Sequence, residues 1–431
     1  MDYLARRAAY LSLMLAGGVL IGTSEAQASR YVLGDASSIA PDQPRVLFGL
    51  YDVPEGEEPD DSHLVGPVLY NVGLLDTGAN GILLAASAFA NLDGSTTNAN
   101  DYSPFEQAVN PTTGEPVMYD ELGVAGTEAL GVLKSYTFGY NGYNDTNVHV
   151  IEDVHAFGRN NLNIGSYSAI IGMPAMMDKY TYVNMTSLRS NAFGGDIGDL
   201  GDYDYISSTI TNTRQDVVGP EYDVNLRLVD VPPTGQRHPD DPTPTYAPLP
   251  VIDDIVTTFD DGEASGTFLL DTGAQTNIIS MQMALDMGLN MDPDDENTDI
   301  QDFLTVGGIG GQAEMPLVQI DELIVPLANG DEMVWTNVVV GVLDIDGAPF
   351  DAVFGMNMLT SGYSFLDLVS GTNTPEHGFF DGFTLDFAQG DTEGLLSLDW
   401  NDNRVIPEPG TAALIGVGLF LAYAKRSRKK A

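Results

Sequence analysis

The hexapeptide LLDTGA occurs twice in the chain, at residues 74–79 and at residues 269–274. Each copy ends an apolar, strand-like run and is followed by a Gly-x-x-Gly segment. Each half then shows two apolar residues before a glycine: Gly172 follows the first aspartate by 96 residues, and Gly355 follows the second by 84. The same three elements thus occur in the same order in each half of the chain. This repeat indicates that the two halves form two similar structural units.

Short apolar, β-branched or aromatic runs recur along the chain between Gly, Asn, Asp and Pro residues. This pattern is typical of an all-β protein with many short strands. Only Leu84–Leu92 and Ser280–Leu289 have the composition of helices. The strand candidates are Arg45–Val53, Val68–Leu75, Val132–Tyr140, Thr267–Leu270 and Val334–Leu343.

The composition limits the chemistry that the protein can use. The 431 residues include no cysteine and five histidines, and the formal net charge is −45. Without cysteine there is no disulfide framework, thiol nucleophile, iron–sulfur cluster or Cys-ligated zinc site. The acidic charge excludes a basic nucleic-acid-binding surface. The hydrophobic content of 43 % is enough for a packed core.

The repeated motif resembles that of the aspartic proteases, which carry an apolar-apolar-Asp-Thr-Gly segment and an apolar-apolar-Gly segment in each lobe. The resemblance runs from about Arg45 to about Trp400. It implies an all-β, two-lobed pepsin-like fold in which each lobe is a retropepsin-like β-barrel. It also implies a monomeric aspartic-type endopeptidase that acts on a protein or peptide substrate without a metal or cofactor. Asp76 and Asp271 are the expected catalytic pair.

The residues around the two aspartates fit this chemistry. Two carboxyl groups about 3 Å apart cannot both ionise, so they share one proton. One can then take a proton from water while the other polarises the scissile carbonyl. By the resemblance, Thr77 and Thr272 hydrogen-bond across the lobe interface, and Gly78 and Gly273 allow tight turns close to the carboxylates. The sequence does not assign the shared proton to one aspartate.

A glycine-rich hairpin is expected in each half as a cover for the substrate. Residues 303–320 read as strand, glycine tip and strand, and residues 117–133 occupy the corresponding place in the first half. Tyr119 lies 43 residues after Asp76, near the position at which pepsin-like flaps carry a tyrosine. A tyrosine on a strand surface is the alternative interpretation.

Both ends of the chain read as sorting signals. Residues 1–28 combine an arginine pair, an apolar run and a small-residue cleavage site, as a secretory signal peptide does; a buried helix is the alternative. Residues 405–431 contain Pro-Glu-Pro, a short apolar run and a basic end. They resemble the PEP-CTERM sorting signal of Gram-negative bacteria; an ordinary single-span anchor is the alternative. This resemblance implies a short transmembrane segment, transient inner-membrane anchoring, processing by an exosortase-type enzyme and release to the cell surface or medium.

The region between the two signals divides at a proline-rich stretch. Residues 29–404 hold 10 Lys and Arg against 59 Asp and Glu, which favours a soluble acidic surface. The predicted order is a lead-in at 29–44, an N-terminal lobe at 45–230, a linker at 231–250 and a C-terminal lobe at 251–404.

Two other functions stay open on the sequence. A catalytically silent pepsin-like protein could act as a surface or matrix binding module, although both aspartate motifs are intact. A calcium-dependent adhesion or biofilm protein is suggested by the C-terminal sorting signal and the acidic charge, and the acidic stretches 196–204 and 292–299 are the candidate calcium sites. Neither stretch has EF-hand spacing. Solvated loops are the preferred interpretation, so we predict no metal site.

Overall fold

In the described part of the chain, the regular structure is almost entirely β, as predicted. The computed structural model describes 22 strands, two short α-helices and two 3-10 helices. No helix among the described residues is long and apolar enough to cross a membrane. Several predictions fall outside the described residues: both sorting signals except Ala28, most of the Leu84–Leu92 helix, and the acidic stretch 196–204. The described ranges are 28–36, 39–65, 71–84, 105–123, 126–143, 145–158, 167–189, 206–214, 221–235, 238–308, 311–345, 347–362 and 378–401.

The first half of the chain forms a nine-stranded sheet. Its strands are β2 (Arg45–Tyr51), β3 (Asn71–Leu75), β4 (Ile82–Leu84), β5 (Met118–Gly123), β6 (Gly126–Val132), β7 (Tyr136–Gly142), β8 (His149–Val154), β9 (Phe157–Gly158) and β10 (Ala169–Ile171). Their order is β5-β6-β9-β4-β10-β3-β2-β7-β8. The strand that leads to Asp76, β3, therefore lies in the interior of the sheet, between β10 and β2.

The second half forms a closed barrel. Its strands are β14 (Leu249–Phe259), β15 (Gly262–Asp271), β16 (Ile278–Ser280), β17 (Asp302–Gly308), β18 (Gly311–Pro326), β19 (Glu332–Leu343) and β20 (Ala352–Gly355). The path β14-β15-β20-β16-β19-β18 closes because β14 pairs with β18 as well as with β15. The barrel expected for a lobe is thus confirmed in this half, with β17 outside the closed path and paired with β18. In the first half, the described strands form an open path from β5 to β8.

A third group of strands joins the two halves. It comprises β11 (Tyr180–Asn184), β12 (Ser207–Thr211), β13 (Glu221–Val229), β21 (Phe380–Asp386) and β22 (Glu393–Trp400). In the order β12-β11-β21-β22-β13-β14, the two strands from the end of the chain, β21 and β22, lie between strands from its middle. The two-lobed pepsin-like arrangement therefore rests on a ladder that both halves share.

The lead-in also connects the halves. Strand β1 (Arg30–Asp35) pairs in parallel with the start of β19, in the second half of the chain. The chain then returns to the first half and begins β2 at Arg45.

One predicted strand was wrong and one predicted helix was too long. Val132–Tyr140 contains the end of β6 and the start of β7, because residues 133–135 turn between them. Helix α1 (Met281–Asp286) begins where predicted, with the Ser280 hydroxyl accepting the Met283 amide at 3.2 Å. It ends early because Gly288 adopts a φ of +86°.

The proline-rich stretch runs along the N-terminal lobe. Asn80 donates to the Val231 carbonyl at 2.7 Å and accepts the Ala247 amide at its own carbonyl at 2.8 Å. Strand β14 already begins at Leu249, inside the predicted linker. The lobe boundaries predicted at 230/231 and 250/251 stay predictions.

Candidate active site

The two LLDTGA loops meet at the interface between the halves. Each loop follows a buried strand, β3 for Asp76 and β15 for Asp271. The Thr77 amide donates to the Thr272 hydroxyl at 3.0 Å, and the Thr272 amide donates to the Thr77 hydroxyl at the same distance. The structure thus brings together residues 195 positions apart in the chain.

The threonine hydroxyls also secure the strands behind the loops. Thr77 donates to the carbonyl of Leu270 at 2.6 Å, and Thr272 donates to the carbonyl of Leu75 at 2.7 Å. Both threonines are buried. Four hydrogen bonds with this symmetry, shielded from water, fix each loop against the strand that carries the other aspartate.

The glycines of the two motifs permit the close approach. A Cβ atom built on Gly78 would overlap the carboxyl group of Asp271, and one built on Gly273 would overlap the carboxyl group of Asp76. Each glycine therefore lies against the aspartate of the opposite loop. Any side chain at either position would push the two carboxyl groups apart.

The two carboxyl groups hydrogen-bond each other. Each also receives backbone amides from its own loop: Gly78 donates to Asp76 Oδ1 at 2.8 Å, and Gly273 and Ala274 donate to Asp271 Oδ1 at 2.8 and 2.9 Å. Hydrogen bonds from backbone amides stabilise the ionised form of a carboxyl group that is shielded from water. The arrangement can therefore hold one negative charge and one proton.

Burial and the neighbouring Asp271 carboxyl raise the pKa of Asp76 well above its ordinary value. Burial also raises the pKa of Asp271, but hydrogen bonds from Asp76, Ala274 and Gly273 oppose the shift. Backbone amides of Gly78 and Ala79 oppose the shift of Asp76 in the same way, so the two carboxyl groups share one proton. The pair still titrates as one unit.

A neighbouring strand supports each loop. The Asp76 amide donates to the Ile171 carbonyl at 3.0 Å, and β10 runs parallel to β3 there. In the second half, β20 runs parallel to β15, with Asp271 opposite Gly355. A Cβ on Gly172 or Gly355 would overlap backbone carbonyls of the adjacent loop, so each glycine lets its strand pack closely against that loop. Gly355 leads into helix α2 (Met356–Leu359).

Both predicted hairpins are present. Strands β5 and β6 pair antiparallel, and so do β17 and β18; residues 124–125 and 309–310 at the tips lie outside the described ranges. The base of the first hairpin packs on Leu83 and Ile170, in strands that flank the Asp76 loop. The base of the second packs near Ala274, beside Asp271.

Tyr119 is not a surface residue. It is 2 % exposed and belongs to the cluster at the base of the first hairpin, so the alternative of a strand-surface tyrosine was wrong. Its hydroxyl has no hydrogen-bond partner among the described residues. The flap role of Tyr119 stays a prediction.

Residues 256–358 match the aspartyl protease family model. The matched segment begins in β14, contains the Asp271 loop and ends in α2. Among solved structures, basic 7S globulin from soybean shares 9 % sequence identity, with 83 % of this chain and 96 % of that chain covered and a TM-score of 0.38. No curated protein matches the sequence.

The part that matches the aspartyl protease family receives contacts that the sequence did not predict. The side-chain amide of Gln43, in the lead-in, donates to the carbonyl of Gly273, and the Ala40 amide donates to the carbonyl of Gln275 at 2.7 Å. No pattern in the sequence joins these residues, which lie 230 or more positions apart.

The acidic stretch 292–299 is a hydrogen-bonded turn. Asp292 accepts the amide of Asp294 at 3.0 Å, and Asp295 accepts the amide of Asn297 at 2.9 Å. These carboxylates thus satisfy local backbone donors. Among the described residues, no group of three or more His, Asp or Glu side chains is arranged to hold a metal ion.

Proposed function

We propose that the protein is an aspartic endopeptidase that hydrolyses peptide bonds with water activated between Asp76 and Asp271. The observation that carries this proposal is the hydrogen-bonded pair of carboxyl groups, Asp76 buried and Asp271 half-buried, at the junction of two identical loops. The family match of residues 256–358 supports the same class.

A pair with one carboxylate and one carboxylic acid suggests a division of roles. The carboxylate takes a proton from water as the water oxygen attacks the scissile carbonyl carbon, and the carboxylic acid gives its proton to the carbonyl oxygen. In the collapse of the resulting gem-diol, the C–N bond breaks, the carboxyl group that took the proton from water protonates the leaving nitrogen, and one diol hydroxyl returns a proton to the other carboxylate. The pair ends as it began, with one proton.

We propose that this peptidase acts outside the cytoplasm. The support is the sequence alone: an N-terminal stretch with the layout of a signal peptide and a C-terminal stretch like a PEP-CTERM signal. Signal peptidase would release a chain that begins at Ser29, and an exosortase-type enzyme would act near Pro407–Pro409. Mass spectrometry of the extracellular protein tests this, because a basic C-terminal peptide on the released form would contradict it.

The activity is tested by a peptide-library assay of the purified protein between pH 3 and pH 8, with and without pepstatin. We expect cleavage that pepstatin inhibits and that falls at high pH as the pair loses its proton. The variant Asp391→Asn serves as a control, because Asp391 is exposed. A folded protein that cleaves no peptide in this range would contradict the proposal and favour a binding role.

A further inference from the structure

The lead-in runs beside the second aspartate loop, although it precedes the strand that enters the first lobe. Ala40 bonds to Gln275, and Gln43 bonds through its side chain to Gly273. Gln43 is 8 % exposed. Because the side-chain amide of Gln43 is buried, water does not compete for its hydrogen bond to the Gly273 carbonyl. The bond therefore helps to fix the conformation of the loop.

The atom that Gln43 holds belongs to the peptide unit that serves Asp271. The Gly273 carbonyl and the Ala274 N–H are parts of one planar unit. The carbonyl accepts from Gln43, and the N–H donates to Asp271 Oδ1 at 2.9 Å. A rotation of this unit away from Gln43 would turn the N–H away from the carboxylate. A donor on the carbonyl also polarises the N–H on the other side.

Gln43 is itself held by a buried ion pair. Arg45 donates to the main-chain carbonyl of Gln43 at 3.0 Å and pairs with Asp42 at 2.7 Å. Asp42 also accepts the amide of Ile206 at 2.8 Å. Asp42 and Arg45 are both buried. The backbone that carries Gln43 is therefore fixed to the strands of the first half, so Gln43 can act as a rigid support.

We propose that Gln43 is a positioning residue that orients the 273–274 peptide unit toward Asp271 and so supports the carboxylate form of that residue. The inference rests on the proposed function, since it assigns Gln43 to that same site. The charged groups to consider are Asp76, which faces Asp271, and the Asp42–Arg45 pair, whose opposite charges compensate each other. Gln43 does not take part in the chemical step.

The test compares Gln43→Met, which keeps the length of the side chain but removes the donor, with the wild type. We expect the acidic limb of the kcat/KM profile to move to higher pH by roughly 0.5 to 1 unit, because the Asp271 carboxylate loses support. We expect kcat to fall at low pH with little change in KM. Gln282→Met, at an exposed position on α1, is the matched control and should leave the profile unchanged.

A second measurement separates this inference from the proposed function. Carbon-13 NMR of aspartate carboxyl groups, assigned with Asp76→Asn and Asp271→Asn variants, follows the pair without any substrate. If the titration of the two carboxyl groups moves to higher pH in Gln43→Met, the positioning role is supported even if the wild type hydrolyses nothing. An unchanged titration in a folded variant overturns it. A lower KM with an unchanged pH profile also overturns it, since Gln43 would then occupy the place of substrate.

Discussion

Thr77 and Thr272 exchange two hydrogen bonds of 3.0 Å, each hydroxyl accepting the amide of the other residue. Both hydroxyls also donate across the interface to a strand carbonyl. This exchange joins loops that are 195 residues apart in the chain. It makes the position of one aspartate depend on the fold of the other half.

Replacing Thr77 with Val should destabilise the protein by about 2–4 kcal/mol, because it leaves the Thr272 amide and the Leu270 carbonyl buried without partners. Urea unfolding measures the loss. Thr77→Ser keeps the hydroxyl and should cost much less. A Val variant within about 0.5 kcal/mol of the wild type would show that the exchange contributes little.

Replacing Gly273 with Ala should reduce activity by on the order of 100-fold, because the added Cβ overlaps the Asp76 carboxyl group and separates the pair. Steady-state kinetics on the folded variant measure the effect. Ser265→Ala is the control, since Ser265 is exposed on β15, the strand that leads to the same loop. Equal loss in both variants would argue against a steric effect at the pair.

Glu121 should make the stability of the protein depend on pH. Burial raises the pKa of Glu121 to about 7, whereas the unfolded chain releases this proton near 4.5. The native state therefore binds a proton that the unfolded state has lost, so stability falls as pH rises from 4.5 to 7. Above its raised pKa the buried Glu121 carboxylate destabilises the native state. Glu121→Gln should therefore increase the free energy of unfolding by on the order of 2 kcal/mol at pH 8 and change it little at pH 4.

Denaturant unfolding at both pH values checks the Glu121 prediction. Glu115→Gln is the control, because Glu115 is exposed on a turn of the same lobe. If the two variants gain the same stability at pH 8, the effect comes from the net charge of the protein and not from burial of Glu121.

The site was largely predictable because its information is local. The repeated LLDTGA, with a glycine after two apolar residues, marked the loops and the strands that support them. Ser280 marked the start of α1, since a serine accepts the amide three residues later. Patterns of this kind need only neighbouring residues.

The remaining features depend on contacts between distant segments. The shared ladder pairs β11 with β21 and β13 with β22, and strands of similar composition do not reveal their partners in the sequence. Gln43 lies in a lead-in with no motif, and its role depends on a carbonyl 230 residues away. The raised pKa of Asp76 depends on burial, which the spacing of the motifs does not report.

The most direct measurement of the central claim is kcat/KM for Asp76→Asn, Asp271→Asn and the double variant, with circular dichroism to establish that each one folds. Because the two carboxyl groups share one proton, we predict that each single change abolishes most of the activity and that the double change adds little. Near-wild-type turnover in either single variant would contradict the account, since that aspartate could not then be part of a catalytic pair.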